Sequence, residues 1–229
     1  MYRLHIGNKN YSSWSLRPWI LMTELGIGFE EAITPFDEGS NWKKFRSFSP
    51  NGMVPCLIDT DNDFPIWDTL AISEYLADNN KNVWPDNASA RAWARCASAE
   101  MHSGFSQLRN LCPMNCALRI ELYDMVEPLK SDLERIEELW TQGLNLFSGP
   151  YLAGDKYSAV DAFYAPVVFR IRTYGFTFNQ QVTEYIERIL SLNSMKKWDQ
   201  QAIAEQWLEL QHEKEAIESG KIVKDYRNK

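Results

Sequence analysis

Three serines, Ser12, Ser13 and Ser15, crowd the run Tyr11-Ser12-Ser13-Trp14-Ser15-Leu16-Arg17-Pro18-Trp19. A short alternating apolar stretch, Tyr2 to Ile6, precedes them, with the turn-like Gly7-Asn8-Lys9-Asn10 in between. A helical pattern comes next and stops near Leu25-Gly26. The serines therefore sit at a strand-to-helix turn, where backbone N–H groups are unpaired and the positive end of the helix dipole faces outward. A serine hydroxyl there can donate a hydrogen bond to an anion such as a thiolate. The same residues also fit a plain N-cap with Pro18 in the first turn, and for this stretch alone the cap is the simpler reading. The rest of the chain has to decide.

Composition narrows the field. At 229 residues the chain is long enough for one large domain or two small ones, and 45% hydrophobic with 24% charged residues is ordinary for a globular protein. A net charge of −7 without a Lys/Arg-rich run argues against nucleic acid and against anionic membrane surfaces as partners. Arg3, His5, Asn8 and Lys9 interrupt any signal-peptide core, and no window of about 18 apolar residues exists. The expectation is a cytoplasmic protein with reduced thiols. Cys56, Cys96, Cys112 and Cys116 form neither CxxC nor a paired zinc pattern, and the three histidines lack metal-ligand spacing, so no metal is expected.

The serines must be positioned by the elements around them. Residues 2–6 form a strand, 15–25 a helix, and Phe29 to Thr34 a second strand. Trp42, Phe45 and Phe48 suggest a short helix lying on the sheet. Met53 to Ile58 is an apolar run carrying Pro55, which marks an edge strand or a cis bond. It pairs as a hairpin with Phe64 to Trp67. Asp68 then caps a helix that opens at Thr69. The order is βαβαββα in residues 1–80, a small α/β unit with a mixed sheet. Asn79 to Asn87 reads as a linker. Residues 88–229 form a second unit without a convincing strand: helices over 88–111, 125–146, a buried helix opened by Ser158-Ala-Val-Asp161, then 180–192 and 195–211. The charged tail from Glu213 is expected to fray. A cleft between two such units is a usual small-molecule site.

Four features, in order, make the chain resemble a glutathione S-transferase over nearly its whole length. They are Ser12-Ser13-Trp14-Ser15-Leu16-Arg17, similar to the serine signature of the bacterial zeta and theta-like branch; Val54-Pro55; Asp68-Thr69 opening a helix; and Ser158-Ala-Val-Asp161 in an apolar helix. The resemblance implies a thioredoxin-like N-terminal domain followed by an all-helical domain, glutathione as co-substrate, a small electrophile as partner, a role in detoxification, and a homodimer. It makes Ser12 the thiolate donor, with Ser13 next if the register slips by one, and Arg17 a second positive influence. It assigns the backbone of Val54, fixed by Pro55, to the cysteinyl part of glutathione, and Asp68 and Thr69 to the γ-glutamyl end. Met101, His102, Phe105 and Arg109, at helical spacing, would face the electrophile.

The chemistry suits these residue types. A free thiol has a pKa near ~8.5 and is mostly protonated at neutral pH. A hydroxyl donor and a helix N-terminus favour the thiolate, and each unit of lowering needs about 1.4 kcal/mol. The serine need not act as a base. Trp14 stands where zeta-like members often carry cysteine, which weakens a second reading, a glutathione-dependent isomerase of the maleylacetoacetate type. A third reading is a non-catalytic module that binds a ligand or a protein with the same fold.

Overall fold

The computed structural model describes residues 1–227, so positions 228 and 229 of the second unit lie outside the described residues. The first unit runs β1 (Tyr2–Ile6), α1 (Ser13–Glu24), β2 (Phe29–Ile33), α2 (Trp42–Phe45), β3 (Cys56–Asp59), β4 (Phe64–Trp67) and α3 (Thr69–Asn79). The sheet order is β2-β1-β3-β4, with β1 parallel to β2 and antiparallel to β3, and β3 antiparallel to β4. The parallel pair needs the α1 crossover, whereas β3 and β4 need only the polar turn at 60–63. Leu4, Ile6, Leu57 and Ile66 on the strands are buried with Leu16, Ile20, Ile72 and Leu76 on the helices. The ladder of β3 starts at Cys56, one residue after Pro55, which has no N–H to give it. The Val54–Pro55 peptide is cis.

The second unit contains α4 (Ala88–Ser103), α5 (Ser106–Leu111), β5 (Leu118–Leu122), α6 (Glu127–Leu146), α7 (Ala159–Tyr174), α8 (Gln180–Ser191), α9 (Asn193–Ala204), α10 (Leu210–Ser219) and β6 (Gly220–Asp225). The fold class is thus a thioredoxin-like sheet unit followed by a helical one, as the sequence indicates. Four expectations need correction. The helix expected over 88–111 is broken: Gly104 ends α4, where a Cβ would meet the Glu100 carbonyl at 2.7 Å, and Phe105 adopts φ 54° before α5 restarts. The helix expected over 195–211 stops at Ala204. The unit is also not free of strands, and its tail is ordered through residue 227, the last described, because β5 and β6 pair as an antiparallel ribbon. Charge is what orders that tail: Glu213 accepts from the Tyr11 hydroxyl at 2.8 Å and Asn115 Nδ2 at 3.0 Å, and pairs with Arg227 at 2.8 Å.

Helix α7 is the spine. It is buried along almost its whole length and packs against α1, α4, β5 and α8. The Ser158–Asp161 capping box forms as the sequence predicts. Asp161 also accepts from Leu152 N at 3.0 Å and the Tyr185 hydroxyl at 3.1 Å, so one buried carboxylate ties three segments together. Burial pushes its pKa up to about 6, against the pull of these donors.

Candidate active site

The turn after β1 is built from both units. Lys9 is buried; its Nζ pairs with Glu31 at 2.7 Å and donates to Gln201 at 2.6 Å. The Glu205 carboxylate, just past the end of α9, accepts from the backbone N–H of Lys9 at 2.6 Å and of Asn10 at 3.2 Å. Tyr11 donates to Glu213, and burial pushes its own pKa up, so its phenol is occupied with structure.

Ser12 is the N-cap of α1 and is 6% exposed. Its Oγ accepts from Ser15 N at 3.3 Å and lies 2.7 Å from Ser15 Oγ, which itself accepts from Gly7 N at 3.1 Å. Two hydroxyls and a backbone amide therefore form a chain that ends at the cleft. Ser13, the first helical residue, is half-buried, and among the described residues its hydroxyl has no hydrogen-bond partner. Ser12, Ser13 and Trp14 line a cavity of about 530 Å³ together with Phe36, Phe45 and Val54. An adjoining recess of about 350 Å³ shares Trp14, Met53 and Val54 and adds Pro55, Asp68, Thr69 and His102. Gly52, at φ 67°, brings the chain into the Val54 turn where a Cβ would strike the Trp42 ring at 2.6 Å.

Val54 presents bare backbone here: among the described residues neither its N–H nor its C=O has a hydrogen-bond partner. Asp68 holds φ 74° and caps α3 through Leu70 N at 2.8 Å. The Thr69 hydroxyl is buried and unpartnered. Such orphaned polar groups are uncommon and mark places where a ligand can supply the missing bond.

Of the four residues expected on the helical wall, two reach the cleft and two do not. His102 lines the recess, with Nε2 3.3 Å from Asp68 and its ring edge-on to Trp14. Burial lowers its pKa, Asp68 acts the other way, and Arg17 and Arg109 lower it further. Arg109 lines the larger cavity. Met101 is fully buried in the core, and Phe105, at the helix break, packs against Tyr164. Arg17 is buried beneath the site. Its Nε donates to the Phe163 carbonyl at 3.2 Å, and its guanidinium lies 4.0 Å from the Trp14 ring centre. Arg109 approaches the same ring at 4.6 Å. Burial, with Arg170 and Arg109 nearby, pushes the Arg17 pKa down. A guanidinium nevertheless stays charged at neutral pH, and the aromatic faces favour that state.

Arg170, His212, Pro113 and Met114 also line the larger cavity and were not singled out by sequence reasoning. Arg170 had one visible signal, a cation inside an otherwise apolar helix. His212 had none, since it lies in a tail that reads as solvated. The cysteines add no nucleophile to the cleft. Burial pushes Cys56 up to about 11 and Cys112 up to about 12, and raises Cys116 too. Among the described residues no cluster of three His, Cys, Asp or Glu could hold a metal. A separate cavity of about 510 Å³, between the linker and residues 146–158, touches none of these groups.

Comparison with known proteins agrees with this geometry. The profile described as "Glutathione S-transferase, N-terminal domain" matches residues 11–79, and "Glutathione S-transferase, C-terminal domain" matches residues 90–199. The chain is similar to glutathione S-transferase GstB of Escherichia coli strain K12, 23% identical over 203 residues, covering 77% of this chain and 91% of that protein. A glutathione transferase homologue from Burkholderia, solved with bound glutathione, superposes at TM-score 0.65 with 22% identity, covering 88% of this chain and 97% of the other. The unclassified glutathione S-transferase 2 of Bombyx mori superposes at TM-score 0.68 with 18% identity, covering 96% and 99%.

Proposed function

Because the chain belongs to the glutathione S-transferase family, we propose that its cleft binds glutathione along Ser12, Val54 and Asp68–Thr69 and activates the thiol for attack on a small electrophile. The observation that carries this reading is the Ser12 hydroxyl at the N-terminus of α1, which donates to Ser15 Oγ, an acceptor also used by Gly7 N–H. When a thiolate occupies the cleft, rotation of the Ser12 hydroxyl turns its proton from Ser15 to sulfur. The Ser15 N–H that donates to Ser12 Oγ polarises the hydroxyl and strengthens it as a donor. The dipole of α1 adds to it. Together a charge-assisted hydrogen bond and a helix terminus supply a lowering of about one to two pKa units. Ser13 stands beside Ser12 as a further hydroxyl donor.

The peptide lies across three fixed features. Val54 pairs its free N–H and C=O with the cysteinyl residue. Thr69 gives its orphaned hydroxyl, and the α3 N-terminus its amides, to the γ-glutamyl carboxylate. Asp68 accepts from the γ-glutamyl ammonium. Arg17 adds positive potential beneath Trp14. The thiolate sulfur then forms a bond to an electrophilic carbon, and the leaving group departs with its electron pair. A homodimer and a cytoplasmic location belong to the same reading. The exposed Phe64 and Trp67 on β4 support a protein contact there.

The test is titration of glutathione into wild type, Ser12→Ala, Ser13→Ala and Ser15→Ala, with thiolate absorbance followed across pH. In wild type the bound thiol ionises about one to two units below its free value. Ser12→Ala still binds but loses most of that shift, whereas Ser15→Ala, which removes only the acceptor that the Ser12 proton leaves, keeps it. If Ser13→Ala alone abolishes it, the donor is the next residue. Binding with an unshifted thiol in wild type would make the protein a carrier, and no binding would leave the likeness as one of fold only.

A further inference from the structure

Several buried cations in this protein are matched by carboxylates: Lys9 pairs with Glu31, Arg172 with Asp199, and Arg227 with Glu213 and Asp225. Arg17, Arg109 and Arg170 have no carboxylate within 4.0 Å among the described residues, as the partly buried Arg91 and Arg119 elsewhere in the fold have none; those two spend their guanidiniums on backbone carbonyls. Arg17, Arg109 and Arg170 differ in gathering at one place. Arg109 and Arg170 line the larger cavity, and Arg17 lies under its Trp14 floor. Arg109 spends Nη1 on the His102 carbonyl at 3.1 Å, which leaves Nε and Nη2 unpartnered among the described residues. Arg170 spends Nε on the Cys112 carbonyl at 2.8 Å and Nη1 on that of Pro166 at 3.5 Å, which leaves Nη2. Backbone carbonyls hold these guanidiniums in place without neutralising them. The acid that lines the cavity, Glu215, accepts from Gln211 at 3.0 Å.

Removing cations from water without a counter-ion is unfavourable, so such a cluster persists where an anion completes it. The Nε–Nη2 edge of a guanidinium fits a carboxylate through two parallel hydrogen bonds. Around the arginines the lining is aromatic and apolar: Trp14, Phe36, Phe45, Pro113 and Met114. We infer that the electrophile selected by this cleft is a compact aryl or apolar acid, whose carboxylate is held by Arg109 and Arg170 while its reactive carbon faces Ser12. The inference rests on reading the cavity as the electrophile side of a glutathione site.

The experiment uses two chloroarenes that differ at one group, 4-chloro-3-nitrobenzoate and 4-chloro-3-nitrobenzamide, at saturating glutathione. In both, sulfur bonds to the ring carbon bearing chlorine and chloride leaves with the electron pair. With each kcat/KM divided by the same arene's uncatalysed rate constant with glutathione, which removes the stronger activation of the ring by the amide, the benzoate is expected to stand about tenfold above the amide, the size of a charge-assisted hydrogen bond. Arg109→Gln brings that ratio near one, and Arg109→Lys keeps part of it. Reading a ratio removes any general loss of folding or of glutathione binding. A wild-type ratio near one overturns the inference while leaving the transferase reading intact, and would assign the arginines to the carboxylates of glutathione itself. If neither chloroarene is conjugated, the transferase reading fails. Calorimetric titration of the unreactive 3-nitrobenzoate against 3-nitrobenzamide then decides the carboxylate site: tighter binding of the acid, lost in Arg109→Gln, sustains it, and equal binding overturns it.

Discussion

On the sheet side of the cleft the groups that line it are short: Ser12, Ser13 and Thr69, the bare backbone of Val54 and the first turns of α1 and α3. On the helical side they are long: the guanidiniums of Arg109 and Arg170 and the rings of His102 and His212. The short groups have few degrees of freedom and are aimed by backbone geometry. The long ones are aimed by what they lean on, namely the Trp14 face for Arg109 and the carbonyls of Cys112 and Pro166 for Arg170. The contrast assigns different jobs. A wall of backbone and hydroxyls suits one constant partner, and a wall of side chains can be changed to suit a variable one.

That division can be broken most forcefully from behind. Asp161→Ala removes an acceptor shared by Leu152, Ser158 and Tyr185 and leaves three buried donors unpaired. The loss expected is about 3–5 kcal/mol of stability by chemical denaturation. Since α7 carries Arg170 and the Phe163 carbonyl under Arg17, the helical wall should suffer first. Retention of full stability would show that α7 does not need its cap.

Glu205→Ala acts on the opposite wall from a distance. It strands the amides of Lys9 and Asn10, which predicts a loss of about 2–3 kcal/mol. If the sheet wall is as rigid as its backbone character implies, the thiol shift of bound glutathione should shrink along with stability. An unchanged shift would separate the turn's clamp from its chemistry.

Thr69→Val sharpens the comparison at one atom. The hydroxyl is buried and unpartnered, so the unliganded protein should be as stable as wild type or slightly more so. Glutathione affinity should fall about tenfold, the size of one hydrogen bond to a charged group. Loss of stability without loss of affinity would place the hydroxyl in the fold alone.

The smallest effect concerns His102. Burial and the neighbouring arginines lower its pKa below the ordinary 6.5, so folding favours the neutral ring. Its contribution to stability is complete above pH 6.5 and declines as pH falls through that value toward the lowered one. The midpoint difference between wild type and His102→Gln should therefore move against wild type on acidification below about 6.5. A difference independent of pH would mean that the ring does not titrate with folding.

The sheet wall was legible in the sequence because each of its parts carries a local signal: serines at a helix start, Val before Pro, Asp–Thr opening α3. The helical wall was not. Its spacing argument assumed one continuous helix, but the chain breaks at Gly104 and Phe105, and α5 starts afresh at Ser106. Phe105 then turns inward as Met101 does, while His102 and Arg109 reach the cleft. Arg170 was hidden in a helix that reads as core. The ribbon of β5 and β6 was missed because each strand is short and gains its partner from a segment about a hundred residues away. Helical periodicity describes a face; it does not say which cavity that face meets.

The hold of Glu205 and Glu213 on the Lys9–Tyr11 turn also bears on how the protein comes into being. A chain is made from its N-terminus, so the four strands of the first sheet and the serine turn leave the ribosome early. Two of the acceptors that fasten that turn arrive 195 to 202 residues later. Contacts so distant along the chain form slowly. The thioredoxin-like half can therefore gain its shape well before its serine turn is fastened. A nascent chain carries the serines long before the acceptors that hold their turn exist, and the final form of the cleft becomes a late event of the protein's own synthesis.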